Sequence, residues 1–254
     1  MPLRVERRER VAVLTLDDPD RRNALSAELV AEIVATVDRL EDDDGVGAVV
    51  VTGAPPAFCS GADVGALGAI SGGNEDRGAL PSIYDGFLRV YRCTLPTVAA
   101  VNGPAVGAGL NLALACDVRV AGRSARFDCR FARIGLHPGG GHTRLLADAV
   151  GPQAAAAMVL AGESPDGARA AAIGLAWACV DDADLLDEAT RLAGRAADLP
   201  RELARRVKAS LRETPRLASL DDAVAVELER QRWSLEQGFF AEQRAKMEAR
   251  RGRS

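Results

Sequence analysis

Two glycine-rich turns are the segments of this 254-residue chain best suited to binding an anion. The first covers residues 57–64 (Ala-Phe-Cys-Ser-Gly-Ala-Asp-Val) and the second covers residues 101–109 (Val-Asn-Gly-Pro-Ala-Val-Gly-Ala-Gly). Each follows a short apolar run typical of a buried strand, and each is predicted to lead into a helix. Backbone N–H groups at such a turn have no intrahelical acceptor, and the positive end of the helix dipole lies behind them. They are therefore suited to an anion or to an oxyanion that forms during a reaction.

Neither turn has the pattern of a common nucleotide-binding loop. Leu112 occupies the position of the third glycine in a dinucleotide fingerprint that would begin at Gly107, and neither turn contains the Gly-Lys-Ser/Thr of a phosphate loop. Glycines also occur in turns for purely conformational reasons, so either segment alone is consistent with an ordinary turn.

The segments around these turns predict an α/β architecture. Val11–Leu16 is a strand pattern, and residues 48–52 and Thr97–Val101 are apolar runs of the kind found in strands buried on both faces. Helical patterns lie between and after them: a helix capped by Ser26, one over residues 82–93 and one over residues 107–115. The alternation of strand and helix favours an α/β fold over an all-helical or all-β fold.

A change of architecture is predicted towards the C-terminus. From residue 183 onward the pattern is wholly helical, so we place a division near residue 190, with a core over 1–190 and a helical region over 191–254. Within the core, residues 71–78 combine three glycines with Ser, Asn and charged residues, which predicts an exposed loop.

Composition limits the classes of partner. The formal net charge is −4 and basic residues gather only near the C-terminus, so a nucleic-acid partner is not expected. The five cysteines are widely spaced and include no C-x-x-C pair, which argues against a disulfide framework and against a metal site, and favours a reducing cytoplasm. The longest apolar stretch, 154–161, is too short for a membrane span, and the charged residues 1–10 do not resemble a secretory signal. Arginine outnumbers lysine 30 to 2, which hints at a bacterial source.

Taken together and in order, the motifs resemble those of the crotonase superfamily, the enoyl-CoA hydratase/isomerase family, over nearly the whole chain. The matching segments are residues 22–25, 58–64, 96–117, 127–146, 162–180 and 240–251. The resemblance implies an α/β spiral of repeated ββα units, with a C-terminal helical region that completes the site. It also implies an acyl-CoA thioester as ligand, with coenzyme A part of the substrate and no separate cofactor, and a homotrimer or dimer of trimers.

The same resemblance assigns a role to each turn. The two N–H groups of the family's oxyanion hole fall on Ala62 and Ala108. Many relatives have glycine where this chain has Ala108, but alanine keeps the N–H group, so the site is expected to be retained. Further ligand contacts fall on Arg22 and Ala24 along the nucleotide, on Asp63 and Val64 near the pantetheine, and on Val106, Gly107, Pro138 and Gly139 around the substrate. The basic run Arg244, Lys246, Arg250 and Arg251 is either a phosphate contact or a solvated helix end.

The family's catalytic carboxylates are replaced in this chain. Hydratases of the family hold a water between two glutamates, and these positions are occupied by Asn111 and Phe131. Asparagine can orient a water but cannot take its proton at neutral pH, and phenylalanine can do neither. Isomerases keep the second glutamate, again Phe131 here, and the aspartate of dienoyl isomerases falls at Gly139. Since a positioned acid or base contributes roughly 10²–10⁴-fold, at most a slow hydratase is expected.

Other side chains are candidate replacements for the carboxylates. His137 precedes the Pro-Gly-Gly-Gly loop and has an intrinsic pKa suited to acid/base work, although a structural role is also open, and His142 is a weaker candidate. Asp128 either faces the site or pairs with Arg126 or Arg130, and the thiols of Cys59 and Cys129 are read as small buried fillers.

Two functions remain open from the sequence: an enzyme of the family acting through non-standard residues, or a non-catalytic acyl-CoA carrier. The large apolar side chain of Phe131 predicts a preference for an acyl tail over a polar substituent.

Overall fold

A computed structural model of the chain describes residues 1–62 and 79–251. Two predicted ligand contacts, Asp63 and Val64, and the predicted loop over residues 71–78 lie outside the described residues.

Two sheets organise the described strands. The larger sheet has six strands in the order β1-β2-β3-β4-β6-β8, in which β1 and β2 are antiparallel and every other neighbouring pair is parallel. Its strands are β1 (Leu3–Arg8), β2 (Val11–Leu16), β3 (Ala48–Gly53), β4 (Thr97–Val101), β6 (Val118–Gly122) and β8 (Ala178–Val180). The smaller sheet pairs β5 (Pro104–Val106) with β7 (Arg126–Asp128) in parallel.

Helices alternate with the strands and then continue alone. The described α-helices are α1 (Ala27–Asp42), α2 (Ala79–Arg92), α3 (Ala108–Ala115), α4 (His142–Val159), α5 (Gly167–Ala172), α6 (Leu185–Ala197), α7 (Arg201–Glu213), α8 (Leu220–Leu235) and α9 (Gly238–Arg251). Short 3-10 helices cover Pro19–Arg21, Ala132–Ile134 and Thr214–Arg216. None of the described helices is long and apolar enough to cross a membrane.

The core lies on both faces of the larger sheet. In β3, Val49 and Val51 pack into a cluster shared with α1 and α3, whereas Ala48 and Val50 pack into a second cluster shared with α6. All six residues of β3 are buried, as predicted for a strand covered on both faces.

Most of the predicted elements are observed. β2 and β4 have the predicted bounds, and Ser26 caps α1 by accepting a hydrogen bond from the Leu29 N–H at 3.2 Å. The α/β class is confirmed, and α7–α9 continue the C-terminal helical region. The division near residue 190 stays a prediction, and this position lies within α6, which packs on the sheet.

Candidate active site

The second glycine-rich turn joins β5 to α3. Gly107 connects them with φ 53° and ψ −113°, and its N–H donates to the carbonyl of Asp128 at 2.9 Å. The first bond of the helix runs from the Asn111 N–H to the Gly107 carbonyl at 3.1 Å. Ala108 is therefore the first helical residue, and its N–H has no acceptor within the helix.

The first glycine-rich turn runs beside the segment that precedes α1. Leu25 donates its N–H to the Gly61 carbonyl at 2.8 Å, and Ser60 donates its N–H to the Arg22 carbonyl at 3.0 Å. Leu25 and Ala62 form an isolated parallel bridge. The Ala62 N–H shares one trans peptide with the Gly61 carbonyl and points opposite to it, so the Ala62 N–H points away from Leu25.

The two turns pack against each other backbone to backbone. Val106 donates its N–H to the Cys59 carbonyl at 3.0 Å. A Cβ atom added to Gly61, whose φ is 101°, would lie 2.7 Å from the Val106 carbonyl oxygen and 3.6 Å from the Ala108 nitrogen. A Cβ atom on Gly109 would lie only 2.1 Å from the Cys59 carbonyl oxygen. Glycine at these two positions is therefore what lets the turns approach so closely.

A buried asparagine secures the segment beside the first turn. The Asn23 side chain donates to the carbonyls of Ala54 and Ala57, both at 2.8 Å, and accepts from the Asp18 N–H at 3.0 Å. Arg22, with φ 52°, is exposed and Ala24 is buried. Their predicted contact with the nucleotide of coenzyme A stays a prediction.

Asn111 is buried on α3 and bonded to protein at both ends of its amide. It is 1% exposed, its Nδ2 donates to the Gly139 carbonyl at 3.1 Å, and its Oδ1 lies 2.6 Å from Nδ1 of His142. The bond to Gly139 assigns the orientation of the amide, because a flipped amide would bring two oxygens together. His142 Nδ1 must therefore carry a proton and donate it to Asn111.

His142 is the first residue of α4 and is 1% exposed. Its Nε2 is buried and has no hydrogen-bond partner within the described part of the chain. Burial lowers the pKa of His142 from 6.5 to about 4, so the ring is uncharged at neutral pH. With the proton on Nδ1, Nε2 presents a lone pair.

Phe131 borders this pair and the second turn. Its ring packs edge-on against His142, with the ring centroids 4.9 Å apart, and its Cζ lies 3.6 Å from the position of a Cβ on Gly107. The fold thus brings both substituted family positions, Asn111 and Phe131, to one cluster with His142 beside Ala108.

The other histidine of the chain, His137, lies in the segment that precedes α4. His137 is exposed, and its Nδ1 lies 2.7 Å from the carbonyl of the adjacent Pro138. Pro138 and Gly139 are half-buried. The sequence favours His137 over His142 as a candidate base, because no local pattern indicates that the residue after three glycines meets Asn111. The acid/base role of His137 stays a prediction.

Asp128 forms ion pairs with neighbouring arginines, which is the second of its two predicted roles. Its Oδ2 lies 2.8 Å from Nη2 of Arg130 and 3.0 Å from Nη2 of Arg133. The thiols of Cys59 and Cys129 are buried, and burial raises the pKa of each to about 12. Both thiols are therefore protonated at neutral pH and unsuited to nucleophilic attack.

The basic residues near the C-terminus lie on α9. Arg244 and Lys246 are exposed, and Arg244 Nε is 3.5 Å from Glu248 one turn further along. A contact with phosphate stays a prediction. No cluster of three or more His, Cys, Asp or Glu side chains suited to a metal ion is found among the described residues.

Comparisons with known proteins identify the family of the chain. The family model described as enoyl-CoA hydratase/isomerase matches residues 6–247. A Mycobacterium tuberculosis protein named "Probable enoyl-CoA hydratase EchA14" is 52% identical over 211 residues, covering 83% of this chain and 81% of the relative. The 2,3-dehydroadipyl-CoA hydratase of Escherichia coli is 36% identical over 214 residues, covering 84% and 83%.

Solved structures of enoyl-CoA hydratases have the same fold as this chain. The crystal structure of an enoyl-CoA hydratase from Bacillus anthracis superposes with a TM-score of 0.91 at 25% identity, covering 98% of this chain and 97% of that chain. The α/β fold with its C-terminal helices is thus the crotonase fold, and the chain belongs to the enoyl-CoA hydratase/isomerase family.

Proposed function

We propose that this protein is an enzyme that binds an acyl-CoA thioester and stabilises the enolate of the thioester with the N–H groups of Ala62 and Ala108. The observation that carries the proposal is the close packing of the two turns, in which the Ala108 nitrogen lies 3.6 Å from a Cβ position on Gly61. Family membership supports the class of ligand, and the name of the Escherichia coli relative includes an unsaturated CoA thioester.

Both donors are suited to a negative charge that develops during a reaction. Ala108 opens α3, so the positive end of the helix dipole lies behind its N–H. A backbone donor of this kind contributes roughly 2.7–4 kcal/mol to a transition state. Because both groups belong to the backbone, the proposed oxyanion hole does not depend on the side chain at position 108.

A proline substitution tests the Ala108 donor directly. Ala108→Pro removes the N–H at the first helical position, where proline is well accommodated, and Gly107 before it has no Cβ to collide with the ring. We expect turnover of 2-enoyl-CoA thioesters to fall about 10²–10³-fold, as found for the loss of one oxyanion donor.

Ala108→Gly is the matched control, because glycine keeps the N–H group. We expect its kcat to stay within a few fold of the wild type. A proline variant that folds, as judged by circular dichroism, and still turns over normally would refute the role of the Ala108 amide.

A non-catalytic acyl-CoA carrier is the second candidate. The observation that favours it is the replacement of the family's carboxylates by Asn111 and Phe131. Calorimetric titration with saturated and unsaturated acyl-CoA esters, alongside loss of the conjugated enoyl absorbance, separates the two functions. Tight binding without turnover of any thioester would favour the carrier and contradict the enzyme.

We also propose that the chain assembles as a homotrimer or as a dimer of trimers. The C-terminal helices support this, because large apolar side chains remain exposed there, including Leu211 at 72%, Leu220 at 79% and Met247 at 65%.

A further inference from the structure

We propose that Nε2 of His142 accepts a hydrogen bond and then a proton from the water that adds to C3 of the bound thioester, in place of the family's carboxylates. This inference rests on the proposed binding of a thioester at Ala62 and Ala108. It assigns to His142 the catalytic role and to Asn111 the role of a positioning residue.

The first support is the position of the pair relative to the proposed oxyanion hole. Asn111 lies three residues after Ala108 on α3, and residues at this spacing are neighbours on one face of a helix. His142 is bonded to the Asn111 side chain at 2.6 Å. A thioester carbonyl at the Ala108 N–H would therefore have C2 and C3 close to the Asn111–His142 pair.

The second support is the chemical state of the imidazole. Asn111 accepts the Nδ1 proton, so the lone pair is on Nε2, and Nε2 has no partner among the described residues although His142 is only 1% exposed. Buried acceptors in folded proteins are usually satisfied, and an orphaned one calls for an explanation. A water or hydroxyl of the ligand at this position supplies the missing donor.

The third support is the enclosure by Phe131. Its ring packs edge-on against the imidazole at 4.9 Å and borders Gly107. An apolar wall of this kind limits the polar groups that can reach a bound ligand, so His142 is left as the base of the cluster.

In the proposed step, water adds across C2 and C3 of the thioester. One O–H bond of water breaks as its proton passes to Nε2, the oxygen forms a bond to C3, and the C2–C3 π electrons move to give the enolate at the amides of Ala62 and Ala108. The imidazolium then returns the proton to C2, the carbonyl reforms, and the product is the 3-hydroxyacyl thioester. The negative enolate favours the protonated ring while it exists, although burial lowers the pKa of the resting His142 to about 4.

Two substitutions of His142 distinguish the donor role of Nδ1 from the acceptor role of Nε2. In His142→Asn the amide nitrogen occupies the place of Nδ1, so the donor to Asn111 is kept and the acceptor at Nε2 is lost. In His142→Gln the amide reaches the place of Nε2 and offers an acceptor oxygen there, but this oxygen cannot take a proton at neutral pH. Met158→Ala, which opens a cavity beyond the kink at Gly151 in α4, controls for loss of stability alone.

The measurements are turnover of 2-enoyl-CoA esters and calorimetric affinity for saturated acyl-CoA and for 3-hydroxyacyl-CoA of the same length. For His142→Asn we expect kcat to fall about 10²–10⁴-fold, affinity for 3-hydroxyacyl-CoA to fall about tenfold, and affinity for saturated acyl-CoA to stay unchanged. For His142→Gln we expect the 3-hydroxyacyl affinity to recover while kcat stays low. Met158→Ala should change neither kcat nor the two affinities.

Normal turnover by both His142 variants, or a wild type that binds acyl-CoA but hydrates no 2-enoyl thioester, would overturn the role of His142 and leave thioester binding intact. A wild type that binds no acyl-CoA would instead refute the proposed function. If His142→Asn does not fold, the affinities and kcat of His142→Gln alone decide the matter.

Discussion

Burial of one histidine has a consequence for stability that can be measured without a substrate. His142 has a pKa of about 4 in the folded protein, against 6.5 for the free side chain, and burial is the cause. As the pH falls below 6.5, His142 binds a proton in the unfolded chain but stays uncharged in the folded chain. The free energy of unfolding therefore decreases until about pH 4, below which His142 is protonated in both states and the decrease stops. At about 1.4 kcal/mol per pKa unit, this loss is about 3 kcal/mol.

The measurement is the free energy of unfolding by urea at pH 7 and at pH 4.5, for the wild type and for His142→Asn. The variant lacks the titrating ring, so we expect it to lose less stability than the wild type between these two pH values. An equal loss in both proteins would show that His142 is not held uncharged.

At the scale of elements, the contact between the two turns depends on how closely α3 approaches the first turn. Gly109→Ala would place a methyl group 2.1 Å from the Cys59 carbonyl oxygen, which forces the helix away from residues 59–62. We expect a destabilisation of about 1–3 kcal/mol, typical of overpacking, together with weaker binding of acyl-CoA. Chemical denaturation and calorimetry measure the two effects.

Gly194→Ala is the matched control for this substitution. Gly194 lies inside α6, and a Cβ there meets nothing within 4 Å. Alanine should stabilise the helix by roughly 0.5–1 kcal/mol and leave binding unchanged. If Gly109→Ala behaves like this control, the close approach of the turns is not required.

At the scale of the whole molecule, the apolar surface of the C-terminal helices predicts contacts between copies of the chain. Leu211 on α7 and Leu220 on α8 are among the most exposed large apolar residues. We expect the wild type to have the mass of a trimer or hexamer by light scattering, and the double variant Leu211→Glu with Leu220→Glu to shift towards the monomer. Glu229→Gln, an exposed change on α8, should not. A monomeric wild type would contradict the proposed assembly.

Local patterns in the sequence were sufficient for three of the eight described strands, β2, β3 and β4, and for the helices α1, α2 and α3 that follow them. β2 and β4 could be read from their apolar residues, and α1 from its apolar spacing and from Ser26, because these signals arise within one element. β1 was not predicted, since its alternating charged residues Arg4, Glu6 and Arg8 remain at the surface of an edge strand. Such a strand forms by pairing with β2 and carries little signal of its own.

Local patterns in the sequence also predicted one part of the candidate site. The two turns could be predicted, because glycine and a following helix are local properties of the backbone. The sequence also predicts that Phe131 favours an acyl tail, whereas the buried acceptor of His142 beside it predicts affinity for a hydroxyl at C3. The comparison of acyl and 3-hydroxyacyl thioesters decides between these two predictions.

By itself, the sequence determined the family, the two turns and the substitutions at Asn111 and Phe131. Only the tertiary structure decided which histidine meets Asn111, because α3 and α4 are separate elements and the distance between their side chains depends on how the helices pack. The 2.6 Å bond to His142 and the unpartnered Nε2 result from that packing. Burial, which sets the charge state of the ring, likewise belongs to the folded molecule and to no segment of it.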